Sequence, residues 1–282
     1  MPGYSFAGLN IYADGDLPLP PGREPWDLFI KQREFSHKAE ALSQDAGGLS
    51  WGAVNNHYAL RAGGVDFVLR DHLLEVNRPL EAAADMIVRA ALGFVAVTRG
   101  LCSFHGSAAA RGGSAVLIVG NKGAGKSTTV TGLLRRGWGL LCDDLVSVNE
   151  GMVSPTVLNT RLLPDVWRLL GGDPAALPGA DGKFSLSFPV AASAWLKAGI
   201  VLKVGESWAQ EEVTGHRKLQ MLLPHLNNLP GVGDPAARLA AAAQTATRLR
   251  VVTLTRPVQR LALDEVLEAV EAIVSDVSEK EK

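Results

Sequence analysis

The segment VGNKGAGKST, residues 119–128, contains the spacing Gly-x-x-x-x-Gly-Lys-Ser. Before it stands the apolar run AVLIVG, residues 115–120, which is rich in β-branched residues and predicts a strand buried on both faces. After it, STTVTGLLRR, residues 127–136, predicts a helix with Gly137 as its C-cap. A strand, a glycine-rich turn and a helix in this order predict an anion-binding loop.

Such a loop suits a chain of phosphates, because glycines let the phosphates approach a nest of backbone N–H groups at the positive end of the helix. Lys126 can reach the outer phosphates, and the Ser127 hydroxyl can ligate Mg²⁺. ATP and Mg²⁺ are therefore the predicted cofactors. The predicted nucleotide-binding residues are Gly120, Asn121, Lys122, Gly123, Ala124, Gly125, Lys126, Ser127 and Thr128.

Two adjacent aspartates, Asp143 and Asp144, follow Lys126 after 17 and 18 residues. The interval holds one helix and a return strand, WGLLC, residues 138–142, so the pair is expected beside the loop at the sheet edge. One aspartate is enough to hold Mg²⁺. The second is either a turn or cap residue, or a general base that takes a proton from an acceptor hydroxyl. A base would make the protein a phosphotransferase with the nucleotide as donor.

His105 precedes an expected hairpin around Arg-Gly-Gly, residues 111–113. Antiparallel pairing of residues 107–110 with 114–119 would place His105 near the carboxyl end of the loop strand. The sequence leaves a structural and a catalytic histidine both open.

The segment HGSAAARGGSAVLIVGNKGAGKSTTVTGLLRRGWGLLCDDLVSV, residues 105–148, resembles the catalytic core of the HPr serine kinase/phosphorylase family. In that family a His-Gly pair, a Walker A loop and an Asp-Asp pair follow one another at similar spacing. The resemblance implies an α/β fold with a P-loop kinase core, related to phosphoenolpyruvate carboxykinase. It implies that His105 lies near the transferred phosphate and that Asp143 is the base on the acceptor serine. Asp144 and Ser127 would hold Mg²⁺.

The bifunctional members of that family carry a Glu-x-Arg-Gly-type motif soon after the Asp pair, and residues 149–172 lack one. The segments FAGLNIYADGDLPLP, RLLPD and DGKF resemble instead a kinase-like branch found beside peptide natural-product genes. That branch includes lasso-peptide tailoring kinases, which phosphorylate a serine of a precursor peptide. The same resemblance implies phosphate or substrate contacts for Arg161 and Lys183, with a surface ion pair and a solvated loop lysine as the alternatives.

The composition argues against several classes of partner and site. Lysine and arginine number 28, aspartate and glutamate 29, and the net charge is −1, so no basic excess points to nucleic acid or membrane. Two cysteines are too few for a disulfide framework or a zinc site. Neither a signal peptide nor a membrane span is recognised, so we expect a cytoplasmic protein. A homo-oligomer is compatible with the sequence.

We predict two domains. Residues 1–98 would form a smaller β-rich N-terminal module with a helix over 80–98, and residues 99–282 the catalytic domain. Further strands are expected near 145–149, 198–204 and 251–255, and helices near 165–172, 234–248 and 262–277.

The expected function is that of an ATP- and Mg²⁺-dependent kinase acting on a hydroxyl, foremost on serine of a peptide or protein such as a natural-product precursor. Two alternatives stay open at this point. One is a kinase for a free small molecule such as an amino acid or a sugar. The other is a nucleotide-binding regulator with little turnover.

Overall fold

The computed structural model describes residues 3–35, 43–44, 48–54, 57–173, 175–179, 182–258 and 263–280. In these ranges the chain is a mixed α/β protein with two large sheets and one two-stranded sheet. None of the helices there is long and apolar enough to cross a membrane.

The N-terminal residues form a sheet whose described strands follow the order β1-β2-β3-β8-β7-β6-β5-β4. The turn at Gly63 and Gly64 joins two antiparallel strands. The strands are β1 (Gly3–Phe6), β2 (Leu9–Ala13), β3 (Leu28–Gln32), β4 (Ser43–Gln44), β5 (Ser50–Val54), β6 (His57–Ala62), β7 (Val65–Arg70) and β8 (Leu73–Val76).

The predicted helix over residues 80–98 packs on this sheet, and its buried face shares one apolar core with the strands. It consists of α1 (Leu80–Met86), a π-helical turn (Ile87–Ala91) and α2 (Leu92–Thr98). The π-helical turn widens the helix by one residue, a feature that often occurs at functional sites.

The second sheet has the order β10-β9-β12-β13-β16-β18-β17, and β11 pairs with β9. Because β10 also pairs with β16, five of these strands close into a ring. The strands are β9 (Cys102–Arg111), β10 (Ser114–Gly120), β11 (Gly139–Cys142), β12 (Leu145–Asn149), β13 (Met152–Val153), β16 (Ala194–Gly205), β17 (Ala209–Val213) and β18 (Arg250–Pro257).

The strand that enters the glycine-rich loop is central to this sheet. β10 is buried along its whole length, antiparallel to β9 on one side and parallel to β16 on the other. This confirms the strand predicted from the apolar run before the loop. The helix after the loop, α3 (Lys126–Arg135), ends before Gly137, whose φ of 86° suits a C-cap glycine.

Helices cover both faces of the sheet. The predicted C-terminal helix packs against β10, β16 and α3 through Val266, Leu267, Val270, Ile273 and Val274. Asp234 caps its helix by accepting hydrogen bonds from the amides of Ala236 and Ala237. The covering helices besides α3 are α5 (Arg217–Leu222), α6 (Pro235–Arg248) and α7 (Leu263–Lys280), with a 3₁₀ turn at Leu223–His225. The short α4 (Pro164–Leu169) has no buried residue.

In the described part of residues 99–282, four strands lie where the sequence predicts none, and one of them is the short β13 of the second sheet. β14 (Asn159–Leu162) and β15 (Phe184–Ser187) form the two-stranded sheet, and β17 is an edge strand with four exposed residues in five. β14 and β17 are mostly polar, and the alternation Phe-Ser-Leu-Ser of β15 is too short to predict a strand. The strand predicted from residue 198 begins earlier, at Ala194, with Trp195 exposed. The division into two domains stays a prediction.

Candidate functional site

The glycine-rich loop, residues 120–125, lies at the carboxyl end of β10 and leads into α3. A Cβ on Gly120 would come within 2.6 Å of the carbonyl oxygen of Leu202. Gly125 has a φ of 108° and is the N-cap of α3. Both positions therefore require glycine, and the loop backbone stays open to a ligand.

Lys126 bends back over this loop. Its Nζ donates hydrogen bonds to the carbonyl oxygens of Gly120, at 2.8 Å, and Asn121, at 3.4 Å. Burial lowers the pKa of Lys126, and the charges of Asp144 and Asp143 act against that shift. The ammonium group is thus held against the backbone of the loop.

Arg256, which the sequence analysis missed, also holds the loop. Its Nε donates to the carbonyl oxygen of Ala124 at 3.2 Å, and its Nη2 donates to that of Gly123 at 3.3 Å. The signal was present, since Arg256 follows the apolar run VVTLT at the carboxyl end of a parallel strand. Ligands of α/β sheets bind at that edge.

Asp143 is buried and accepts three hydrogen bonds. Its Oδ1 accepts from the hydroxyls of Ser107, at 2.7 Å, and Ser127, at 3.2 Å, and its Oδ2 accepts from the amide of Arg161 at 3.1 Å. Burial and then the neighbouring charge of Asp144 raise the pKa of Asp143 to about 6, although the three hydrogen bonds oppose this. The carboxylate is held rigidly beside the loop.

Asp144 is half-buried and has a φ of 71°, which is uncommon outside glycine. Its carbonyl oxygen accepts hydrogen bonds from the amide of Gly106, at 3.4 Å, and from Nδ1 of His105, at 3.0 Å. A carbonyl can only accept, so Nδ1 carries the hydrogen and neutral His105 keeps its lone pair on Nε2. The main chain of Asp144 therefore sets the tautomer of this histidine.

The predicted hairpin before the loop strand is confirmed. Gly106 pairs with Val119 and Arg111 with Ser114, so His105 lies level with the carboxyl end of β10. A second histidine lies near it, which the sequence did not signal. His225 is buried in the 3₁₀ turn, and burial together with the charges of Lys126 and His105 lowers its pKa.

Oxygen ligands of the kind that Mg²⁺ prefers are present, but few. Among the described residues, no cluster of three or more His, Cys, Asp or Glu side chains could hold a metal ion alone. Mg²⁺ in nucleotide sites uses one or two protein oxygens and completes its shell with phosphates and water. The Ser127 hydroxyl and Asp143 Oδ1, 3.2 Å apart, match that requirement.

The hydroxyl of Ser127 bonds to Asp143 and not to Asp144, which the family resemblance pairs with it. Both aspartates lie in the bend between β11 and β12, and Asp143 is the one whose carboxylate is turned toward α3. The aspartates thus face different surroundings. Asp143 accepts three hydrogen bonds and lines one cavity, whereas Asp144 lines two.

Two cavities share a wall beside the two aspartates. The loop cavity, of about 410 Å³, lies over the glycine-rich loop. The cleft cavity, of about 490 Å³, lies between the N-terminal helix and the β14–β15 sheet and includes Asp143 in its wall. The residues that line both cavities are Asp144, Arg161 and Lys183.

The structure therefore brings the two predicted contact residues to the site. The side chain of Arg161 forms an ion pair with Asp85 of α1 at 3.4 Å, and its amide holds Asp143. Lys183, next to β15, lies on the shared wall. Their contact with phosphate or substrate stays a prediction.

No family model and no curated protein sequence matches this chain. Among solved structures, the Hpr(Ser) kinase/phosphatase from Coxiella burnetii is similar over 63% of this chain and 91% of its own length. The sequence identity is 15% and the TM-score 0.32. A likeness at this level is distant and assigns no activity to the present chain.

Proposed function

We propose that this protein is an ATP- and Mg²⁺-dependent kinase that transfers a phosphate to a hydroxyl group, foremost to serine of a peptide or protein. The observation that carries the proposal is the 3.2 Å contact between Ser127, at the start of α3, and the buried Asp143. This contact joins the glycine-rich loop to one carboxylate. The neighbouring carboxylate, Asp144, lines both the loop cavity and the cleft cavity.

The nucleotide would bind through its phosphates. The loop amides and the N-terminus of α3 offer donors and a positive dipole end to an anion. Lys126 and Arg256 lie on the wall of the loop cavity and add two positive charges. A phosphate that displaces the carbonyl partners of Lys126 would take over its hydrogen bonds, so this lysine is already placed for the exchange.

Ser127 and one aspartate would hold Mg²⁺, which when bound neutralises the charge that develops between the phosphates. The resemblance assigns the metal to Asp144 and the base to Asp143. The hydrogen bond from Ser127 supports the exchanged roles, with Asp143 beside the metal. Asp144, on the wall that both cavities share, would then receive the proton of the acceptor hydroxyl.

His105 would assist the same phosphate transfer. Because Nδ1 is bound to the carbonyl of Asp144, Nε2 is the atom of the ring that can accept a proton or meet the transferred phosphate. The side chain is exposed and lines the loop cavity. We propose that it lies against the outer phosphate.

The second cavity favours a transferase over a regulator with little turnover, since a protein that only senses nucleotide needs no acceptor cavity at the phosphates. A kinase for a free amino acid or sugar stays the second candidate, because the cleft would also admit a small molecule. The acceptor class separates these two functions.

The experiment is to measure ADP release and phosphate transfer from Mg-ATP with and without serine-containing peptides. We expect ADP release that depends on a peptide and a peptide that gains one phosphate. Tight Mg-ATP binding with no transfer to any hydroxyl acceptor would favour the regulator. Phosphorylation of free serine or a sugar alone would favour the small-molecule kinase.

A further inference from the structure

We propose that the base of the bound nucleotide stacks on the guanidinium face of Arg256, in a groove between the glycine-rich loop and the start of α7. This inference rests on the proposed kinase function and names a contact for the part of the nucleotide beyond its phosphates. It makes a nucleoside triphosphate, and not a bare polyphosphate, the phosphate donor for which the site is suited.

Arg256 lies at the edge of the sheet where a nucleotide would bind. The strands β10, β16 and β18 are parallel, so their carboxyl ends lie at one edge. Arg256 belongs to the end of β18, yet its side chain bonds to the glycine-rich loop that follows β10. The guanidinium group therefore reaches across the end of β16, which pairs with both strands. Ligands of α/β sheets bind at this edge.

The guanidinium group is held by its edge. Nε donates to the carbonyl oxygen of Ala124 at 3.2 Å, Nη2 to that of Gly123 at 3.3 Å, and Nη1 to that of Pro257 at 3.3 Å. The N–H bonds of a guanidinium group lie in its plane, so these three hydrogen bonds fix the orientation of that plane. A flat cation whose edge is bonded in this way offers its face to a planar group such as a base.

A shallow groove, here called the α7 groove, lies beside the loop cavity. Arg256, Gly125 and Thr128 line both the groove and the loop cavity. A base on Arg256 would therefore be in contact with the groove while its phosphates occupy the loop. The apolar side chains of the α7 groove are Ala124, Leu202, Leu263 and Val266. Apolar side chains beside a planar cation suit an aromatic ring.

The first turn of α3 has two different sides. Ser127 bonds to Asp143, so its side faces the aspartates. Thr128 lies about 100° further around the helix, since a turn holds 3.6 residues. Gly132, one turn after Thr128, packs on α7, where a Cβ would come within 2.8 Å of the side chain of Leu267. Thr128 thus faces α7 and the groove.

These two sides give the bound nucleotide a direction. The outer phosphate has to lie beside Asp144, on the wall that the loop cavity shares with the cleft cavity, because the acceptor hydroxyl would be deprotonated there. The wall shared with the α7 groove lies on the other side of the turn. The nucleoside therefore extends over Thr128 to Arg256.

The loop cavity has another apolar wall, formed by Leu163 and Val166. This wall follows directly on Arg161, which also lines the cleft cavity. It is thus on the acceptor side of the site. A base against Leu163 would reverse the nucleotide and move the outer phosphate away from Asp144, so we assign the base to Arg256.

The first test separates stacking from the shape of the loop. The probes are Mg-ATP and Mg-tripolyphosphate, which has no nucleoside. The variants are Arg256→Ala and Arg256→Lys, which keeps the charge but has no planar face. Because both probes need the loop, a change in loop shape alters both Kd values together. We expect the Kd of Mg-ATP to rise about threefold to tenfold more than the Kd of Mg-tripolyphosphate in both variants.

The control for this test is Arg217→Ala, which removes an exposed arginine whose partner is Glu211. It should bind both probes like the wild type. Retained binding of Mg-tripolyphosphate by the Arg256 variants also shows that they are folded. A ratio of the two Kd values that stays at the wild-type value in both variants would overturn the base site.

The second test uses the wild type and 8-azidoadenosine triphosphate, whose photoreactive group is on the base. After irradiation of the magnesium complex, mass spectrometry identifies the labelled residues. We expect label on β18 or at the start of α7, and its loss when excess Mg-ATP competes. Label confined to β14 or α4 would place the base against Leu163 and Val166 and would overturn the inference, although the kinase proposal would stand. A wild type that binds neither Mg-ATP nor Mg-tripolyphosphate would overturn the proposed function, and this inference with it.

Discussion

The hydroxyl of Ser127 donates to Oδ1 of Asp143 over 3.2 Å, which connects the first turn of α3 with the end of β11. Ser107 of β9 shares the same oxygen at 2.7 Å. Side chains of α3 and of β9 thus bond to the same carboxylate oxygen, at the residue that follows β11. Any change there acts on the loop, on the sheet edge and on the adjacent Asp144 at once.

Substitution of the two aspartates is expected to have different effects on Mg-ATP binding and on phosphate transfer. Asp143→Asn should weaken Mg-ATP binding, because Asp143 is the carboxylate in contact with Ser127. Asp144→Asn should keep Mg-ATP binding and lose phosphate transfer by about 10²–10⁴-fold, the usual contribution of a positioned base. Calorimetry with Mg-ATP and a transfer assay measure the two effects.

Thermal unfolding of both aspartate variants serves as the control, since Asp143 is buried and Asn would present an amide to three donors. The reverse pattern, with binding lost in Asp144→Asn and transfer alone lost in Asp143→Asn, would restore the roles that the family resemblance implies. Equal loss of binding in both would make both of them metal ligands.

Arg256 is expected to keep the glycine-rich loop in its binding shape. Arg256→Ala removes the hydrogen bonds to the carbonyls of Gly123 and Ala124 and should weaken Mg-ATP binding roughly tenfold or more. Arg256→Lys keeps the charge but cannot bond both carbonyls in the same planar geometry. Nucleotide affinity restored by lysine would show that only the charge matters and would contradict the positioning role.

Glu271 of α7 is expected to stabilise the fold in a pH-dependent way. It accepts hydrogen bonds from Trp138 at 3.1 Å, Arg111 at 2.7 Å and Arg136 at 3.1 Å. Partial burial opposes its ionisation, but these bonds outweigh it and lower the pKa of Glu271. The stabilisation is therefore present above the unfolded pKa of 4.5 and is lost as pH falls through the folded pKa.

Glu271→Gln should therefore lower the free energy of unfolding by about 1–3 kcal/mol at neutral pH. The difference from the wild type should shrink as the pH falls below about 4.5. Urea unfolding at a series of pH values measures this, with Glu268→Gln on the exposed face of the same helix as control. A difference that does not change with pH would contradict the account.

The thiols are expected to be inert in the folded protein. Burial raises the pKa of Cys102 and that of Cys142 to about 12, so both stay protonated near neutral pH. Ellman's reagent at pH 8 should find no reactive thiol until denaturant is added, when both cysteines of the chain should react. Rapid reaction of the native protein would show that this buried region opens.

The loop and its neighbours could be predicted because their signals are local. The apolar run before Gly120 and the glycines after it specify a buried strand and a turn, and the spacing to Asp143 allows one helix and one return strand. The pairing of β9 with β10 around the turn at Gly112 and Gly113 could also be predicted from the sequence. It placed His105 correctly at the carboxyl end of β10.

Other parts depend on contacts between distant segments. Arg256 joins the site because β16 pairs with both β10 and β18, and His225 because the residues after it contact β9. No local pattern fixes either contact. β14 is mostly polar, and the alternation of apolar and polar residues in β15 covers only four residues, so neither strand was predicted. The partner of Ser127 was assigned to Asp144 by resemblance, whereas the direction in which each aspartate points required coordinates.

The central claim is that the glycine-rich loop and Lys126 bind the phosphates of a nucleotide, and that the protein transfers the outer phosphate to an acceptor. The most direct measurement compares Mg-ATP binding and peptide phosphorylation in the wild type, Lys126→Ala and the exposed control Lys31→Ala. We expect wild-type behaviour from Lys31→Ala. Lys126→Ala should fold normally but lose transfer by on the order of 10²–10³-fold and bind Mg-ATP much more weakly. A folded Lys126→Ala protein with unchanged affinity and transfer would contradict the account.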